Sequence, residues 1–464
     1  MEMIVEIFRM ISGILLSYVL PFLLAITLLV FVHEMGHFLF AKLFGMRVDR
    51  FSIGFPPKIF KKQIGETEYV IGATPLGGYV KIAGMVDESM DTDRLDKAPE
   101  SWEFRSKPVW RRMIVISAGV VFNMLLAFLI FTGLRLSYGE TNIPAENIDA
   151  VFVADTSIAY DMGLRTGDRL LAVNGEPLER YEDFESIESL VADPFTVTVR
   201  RGDDTLLVRG PEDIFTQINR RGPRLGVYIA PAVIGGVMQD TPADSIGLQT
   251  GDRIVSIAGE EIRFWAEMTE YIRRTEGNPV IVRWQRPDST GLAAPPVYEA
   301  LVAPALREEG YLLGVYRPGA DILAEEFGAV QRRFSLFEAV GAGIGDTWSN
   351  TRVIVLSLGR IFTGRENLRE NLGGPIMIAQ VINQATQVGA ALFWDIVAML
   401  SITLAIINIL PIPALDGGHL VFLMYEGIIR REPSLRFRMI TQQVGMFLLL
   451  AFMVFLVFND ILRL

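Results

Sequence analysis

The chain has 464 residues, half of them hydrophobic, and a mean hydropathy of +0.34, which suits neither a soluble protein nor one confined to the bilayer. A mixed architecture follows, part membrane and part aqueous. The net charge of −11 argues against nucleic acid as a partner, because phosphate binding needs a basic surface. There is no cysteine, so disulfides, thiolate zinc ligands and a cysteine nucleophile are excluded.

Four apolar runs approach or exceed the roughly 20 helical residues that cross a bilayer. They lie at about Ile11–Phe40, Val115–Leu134, Ala391–Leu410 and Ile440–Phe458. The first is longer than a signal-peptide core and lacks a small-residue cleavage site, so it reads as a retained helix. Within it, "FVHEMGHFLF" (31–40) carries His33, Glu34 and His37. Such side chains cost several kcal/mol in hydrocarbon unless they are paired, ligated or watered.

The loop Lys42–Arg112 contains thirteen Lys or Arg, ending in "KPVWRR", and "IIRREPSLRFR" (428–438) precedes the last run. The positive-inside rule places both on the cytoplasmic side, so both termini and the long segment 137–390 face outward. In the loop, "ETEYVIGATPLGGYVKI" (66–82) has the turn glycines and β-branched content of a hairpin.

The outer segment contains an internal repeat. "GLRTGDRLLAVNGEPL" (163–178) recurs 84 residues later as "GLQTGDRIVSIAGEEI" (247–262). A Gly turn, a short apolar strand and a second Gly turn make a β signature. The pattern resembles the PDZ domains of bacterial proteases, with "VMQDTPADSI" a closer lead-in than "VFVADTSIAYDM". After the repeats, 332–364 mixes bulky apolar residues with Gly and polar ones, and its apolar stretch near Val353–Phe362 is too short to span. It reads as an amphipathic helix, either lying on the surface or packed against its own domain.

The chemistry starts at His33-Glu34-Met35-Gly36-His37, an H-E-x-x-H pattern. Residues four apart on a helix lie within about 40° of each other, so both imidazoles can reach one zinc ion. Glu34 can then approach a metal-bound water as general base. A catalytic zinc takes a third protein ligand from another segment. "NILPIPALDGGHL" (408–420) follows the third apolar run at matching depth, and on physical grounds either Asp416 or His419 could supply it.

These motifs together resemble the site-2 protease family of intramembrane zinc metalloproteases, and the resemblance runs nearly end to end. It extends through "GMRVDRFSIGF" (45–55), "PLGGYVKIAG" (75–84), "NLGGPIMIA" (371–379) and the terminal "FNDILRL". It implies zinc on His33, His37 and Asp416, with Glu34 catalytic and His419 left to capping or support. It also implies a membrane-associated β-loop at Gly77, Gly78 and Tyr79, with Asn408, Pro411 and Pro413 holding the substrate from the other side. One departure is "SAGVVFN" (117–123), where Val120 stands at a position that is often proline, while Asn123 remains.

The expected fold is a polytopic α-helical membrane protein of four transmembrane helices, with a membrane-associated β-hairpin region and two periplasmic PDZ-like α+β domains. The expected divisions begin with the first helix (1–44), the β-loop region (45–112) and the second helix (113–136). Two PDZ-like domains (137–225 and 226–320) and an amphipathic region (321–388) follow. The third helix with its motif (389–436) and the fourth (437–464) complete the chain. The resemblance implies an endopeptidase of the bacterial inner membrane, its active site towards the cytoplasm. Its substrates would be single-span proteins already trimmed outside, such as an anti-sigma factor in a stress response, or signal-peptide remnants. The rival reading is a membrane-anchored PDZ scaffold with a structural or inactive metal site. Glu34 argues against it, since a structural site needs no base. A soluble gluzincin-like peptidase with anchors would usually supply a glutamate ligand from a downstream helix, and its motif helix would not lie in a bilayer-length apolar run. A metal transporter would spread its ligands along several spans, and here they occupy only two motifs.

Overall fold

The computed structural model describes residues 18–85, 98–221, 225–287, 295–307 and 310–463. The first seven residues of the Ile11–Phe40 run, and all of Met1–Ser17, lie outside that set. The chain forms two compact units: Met1–Gly139 with Arg333–Gly359 and Leu372–Leu464, and Glu140–Arg332 with Arg360–Asn371.

The first unit opens with helix α1 (Leu20–Leu43), whose buried residues Ala25, Leu29, His33, Gly36, His37 and Ala41 recur every three or four positions. One stripe therefore faces protein, while Leu24, Leu39 and Leu43 stay exposed. In water this pattern would be inside out; in lipid the apolar exterior is solvated and the polar groups turn inward. Helix α2 (Val109–Tyr138) follows the same rule, burying Val115, Ala118, Gly119, Asn123 and Ala127. The two stripes meet closely, since a Cβ on Gly36 would stand 2.4 Å from the Ala118 carbonyl oxygen. A residue larger than glycine at 36 would force the helices apart.

Between α1 and α2, strands β1 (Val48–Ile64) and β2 (Thr67–Ile82) do more than form a simple hairpin. Gln63 and Ile64 pair with Glu68 and Thr67 around the tip, yet Phe51, Ser52 and Ile53 pair both with Val80, Tyr79 and Gly78 and with Tyr69, Val70 and Ile71. The two strands fold back to make four segments side by side, with Gly78–Ile82 at one edge. The bend falls where Gly54 (φ +87°) meets Gly72, whose added Cβ would sit 2.3 Å from the Phe55 carbonyl oxygen. The first half of β1 is buried, whereas Ile59, Phe60 and Ile64 are exposed beside Lys61 and Lys62.

Helix α3 (Leu336–Phe362) is much longer than its apolar stretch. Its first-unit residues pack against α2. A Cβ on Gly343 would meet the Thr132 hydroxyl at 2.2 Å, and Asp346 accepts two bonds from Arg135, at 2.7 and 2.8 Å. That packing covers one side of α3, while Phe337, Ile344, Trp348 and Val355 stay exposed. Helix α4 (Pro375–Val388), α5 (Ala390–Ile409), α6 (Asp416–Ile429) and α7 (Leu435–Ile461) complete the unit. Asp460 of α7 accepts from the Gly374, Ile376 and Met377 amides at 2.8–3.1 Å. A carboxylate thus satisfies the open N–H groups that start α4, and it brings the "NLGGP" and "FNDILRL" motifs together. Among the described residues, α1, α2, α5 and α7 are the helices long and apolar enough to cross a membrane. α2 and α7 outrun their apolar runs because polar first turns extend them. In α7, the Ser434 side chain caps the Phe437 amide.

The second unit contains two four-stranded antiparallel sheets of identical order. One runs Glu176–Pro177, Arg169–Val173, Thr196–Arg201, Asp204–Arg209, and the other Glu260–Glu261, Arg253–Ile257, Val280–Gln285, Val297–Val302. Even the register irregularity recurs, at Leu170/Ala172 and at Ile254/Ser256. Each sheet covers its own core, the first around Phe184, Val197 and Val227, the second around Ile254, Met268 and Trp284.

Candidate metal centre

Two turns of α1 and the start of α6 bring three donor atoms together. His33 Nε2 lies 3.1 Å from Asp416 Oδ2, His37 Nε2 lies 3.4 Å from the same oxygen, and the two Nε2 atoms are 3.2 Å apart. His37 Nδ1–H donates to the Val115 carbonyl at 2.8 Å, which fixes that ring's tautomer and leaves its Nε2 lone pair facing the other two atoms. Asp416 Oδ2 is out of solvent and takes no hydrogen bond from a protein donor. A shared proton would relieve one of these contacts; a divalent cation relieves all three.

Size supports the same reading. Four-coordinate zinc with bonds of about 2.0–2.1 Å needs ligand atoms about 3.3 Å apart. The observed separations of 3.1–3.4 Å match that tetrahedral edge. Two imidazoles and one carboxylate are a catalytic donor set that leaves room for a water.

The turn feeding α6 is shaped by its prolines and glycines. A Cβ on Gly417 would stand 2.0 Å from the Leu410 carbonyl oxygen, and one on Gly418 would stand 2.6 Å from that of Ile412. The chain leaving α5 therefore crosses directly over the start of α6. Ala414, at φ +76°, adopts a left-handed conformation that costs a non-glycine residue about 1 kcal/mol or more. That strain sits two residues from Asp416.

A cavity of about 430 Å³ adjoins the three donors. Glu34 lines it, as do Asn408, His419 and, from the far side, Gly77, Gly78 and Tyr79. Pro411 and Pro413 shape the turn and are not among the lining residues. His419 stands apart from the converging trio. Gly78 is held close: a Cβ there would be 2.7 Å from the Ser52 carbonyl oxygen and 3.3 Å from Glu34 Cγ. The edge segment of β2 thus runs beside the carboxylate. Tyr79 stacks on Phe55 at 6.5 Å and accepts from Arg50 at 3.0 Å. Arg50 and Lys58 bracket Glu68, and Lys58 first, then Arg50, hold its carboxyl below the ordinary range.

With this geometry in place, comparison with known proteins is decisive. The profile of peptidase family M50 matches residues 21–452. The chain belongs to peptidase family M50. The regulator of sigma-E protease RseP of Salmonella typhimurium is 33% identical over 470 residues, covering 96% of this chain and 98% of that one. A Neisseria meningitidis protein named as a zinc metalloprotease is 30% identical over 455 residues, covering 96% and 99%. Among solved structures, the PDZ domain of an SdrC-like protein from Listeria innocua aligns with 19% of the chain at 23% identity and a TM-score of 0.16. The site-2 protease resemblance read from the motifs is therefore borne out, and this M50 chain is a metalloprotease.

What the motifs did not disclose lies on α2. Gly119 faces both rings: a Cβ there would meet His37 Nε2 at 2.5 Å and His33 Cε1 at 2.6 Å. Only glycine lets this M50 member bring α2 so close to its histidines. The Val115 carbonyl is a main-chain group, so no side chain announces its role.

Proposed function

We propose that the protein is a zinc-dependent intramembrane endopeptidase whose zinc is held by His33, His37 and Asp416. The observation that carries this reading is the 3.1–3.4 Å triangle of donor atoms, two of which, on His33 and His37, stand on a helix of membrane-spanning length. Bound there, zinc supplies Lewis acidity, activating water and polarising the scissile carbonyl. Glu34 takes the proton from the attacking water and delivers it to the leaving amide nitrogen.

A transmembrane substrate hides its carbonyls in its own helix, so it must be unwound and given other partners. The Gly77-Gly78-Tyr79 edge, paired through Gly78 and Tyr79 to β1 on one side, can add an extended peptide as a further strand. Asn408, with Nδ2 3.4 Å from His33 Nε2, lies close enough to the reacting carbonyl to donate to it. Pro411 and Pro413 fix the course of the turn between Asn408 and Asp416, and would hold it on the substrate's other side. The substrates are single-span proteins already shortened outside, such as an anti-sigma factor, and signal-peptide remnants. The protein sits in the bacterial inner membrane with the zinc site towards the cytoplasm. The two sheet domains of the second unit act outside as a PDZ-like pair that restricts bulky substrates.

The test combines metal analysis of the purified full chain with cleavage of a single-span reporter. Glu34→Gln keeps its zinc and loses cleavage, because that side chain moves a proton and binds no metal. Metal loss equal to that of His33→Ala would overturn the assignment.

A further inference from the structure

Helix α2 presents Val115, Gly119 and Asn123 at successive four-residue steps, against His37 and His33 four apart on α1. His37 finds its acceptor in the Val115 carbonyl. At the other end of the stripe, His33 Nδ1 lies 3.4 Å from the Asn123 side-chain amide. Asn123 is fully buried and its Oδ1 has no hydrogen-bond partner. Its main-chain carbonyl accepts from Ser401 on α5 at 2.8 Å, which fixes where the side chain starts.

The two ends of a carboxamide have nearly the same shape, so the hydrogen-bond network decides which way it points. With the nitrogen towards His33, the amide donates to Nδ1, and the ring proton is then placed on Nε2, where the metal would bind. With the oxygen towards His33, Oδ1 takes the Nδ1–H, and the Nε2 lone pair is left facing Asp416 and the Asn408 amide. The geometry points to Asn123 as the positioning residue of His33: its Oδ1 holds the ring in the metal-binding tautomer, as the Val115 carbonyl does for His37. A buried asparagine in a lipid-length helix is expensive, and this contact gives it a function. The inference rests on the metal reading of His33, His37 and Asp416.

Metal affinity of the full-length protein in detergent, titrated with zinc against a chelator, tests it, together with the visible spectrum of the cobalt(II) form. Asn123→Ala lowers zinc affinity about 10–100-fold, the usual cost of losing a group that orients a ligand. It also alters the cobalt spectrum, while Asn123→Asp, which keeps an acceptor at the same place, restores both. A purely structural asparagine would not be rescued by the charged isostere. Unchanged affinity and spectrum in Asn123→Ala overturn the inference, as does an Asp variant that loses metal as Ala does. Should Asn123→Ala fail to fold, the Asp variant decides alone: metal retained with the parent spectrum supports the role, and metal lost overturns it. If the unsubstituted protein binds no zinc, it is the metal reading itself that fails.

Discussion

The candidate metal centre and the twin sheets of the second unit both hold aspartates away from bulk water, and they surround them with opposite kinds of partner. Asp168 and Asp252 are fully buried, and each is satisfied by the chain itself. Arg201 grips Asp168 at 2.7 and 2.8 Å and also donates to the Gly163 carbonyl, while the Arg165 amide adds a third bond. Arg286, the Gly247 carbonyl and the Gln249 amide repeat the arrangement around Asp252. Asp416 has no arginine. Its Oδ2 faces two imidazole nitrogens and takes no proton from the protein. A carboxylate held by an arginine of its own chain is a structural clamp; one that meets only two imidazoles fits the proposal that its cation comes from solution. The comparison separates function from architecture more sharply than burial does, because the clamps are the more deeply buried.

The largest expected effect comes from removing the exposed logic of the metal site. Changes that merely disorient a ligand already cost about 10–100-fold in metal affinity, so Asp416→Asn should cost more than about 100-fold and abolish reporter cleavage. His419→Ala, which lies outside the trio, should leave zinc content close to that of the parent. Metal analysis of both variants decides the third ligand. Loss of zinc in the His419 variant with retention in the Asp416 variant would reverse the assignment.

Next in size are the clamps, where the two partners are predicted to be unequal. Arg201→Ala leaves a fully buried carboxylate without its cation and should destabilise the first sheet domain by about 3–5 kcal/mol. Asp168→Ala leaves a guanidinium that is 40% exposed and can recover water, so its cost should fall to about 1–3 kcal/mol. Hydrogen exchange across Arg169–Val173 and Thr196–Arg201 in the full chain reads both. Zinc content should be untouched in either. Equal losses of protection would show that the asymmetry of burial does not set the energetics here.

The same comparison shows what could be read from residues alone. H-E-x-x-H and L-D-G-G-H were legible because side-chain type and spacing are themselves the chemistry. The repeat at 84 residues was legible because the turns need glycine at Gly163, Gly167, Gly247 and Gly251, all with positive φ. The clamp arginines were not, since Arg201 and Arg286 stand 33 and 34 residues beyond their aspartates and escape a fixed offset. Nor was a second repeated string, Leu225-Gly226-Val227-Tyr228 and Leu313-Gly314-Val315-Tyr316, whose spacing has drifted to 88. The folding of β1 and β2 into four segments was hidden for another reason. Gly54 and Gly72 look like separate turn signals until pairing brings them together. Orientation of the histidines was least legible, because one of its agents is a main-chain carbonyl.

The smallest effect tests the exposed end of this scale. Glu68 is bridged by Lys58 at 2.8 Å and Arg50 at 2.7 Å, joining segments of β1 that are distant along the strand. Its partners hold its carboxyl below the ordinary value of 4.5. The bridge therefore contributes its full stability above that value and loses it as the pH falls through the lowered one. Solvent reaches all three side chains, with exposures of 21%, 34% and 31%, so the contribution should stay within about 1 kcal/mol. Hydrogen exchange of the Tyr69–Ile71 amides, corrected for intrinsic rates, should lose a few-fold protection as acid is added below pH 4.5, and Glu68→Gln should abolish that dependence. Persistence of the same acid loss in the Gln variant would assign it to another group. A loss as large as that predicted for Arg201→Ala would mean that exposure does not discount this bridge, and the contrast between clamped and solvated carboxylates would fail at its weaker end.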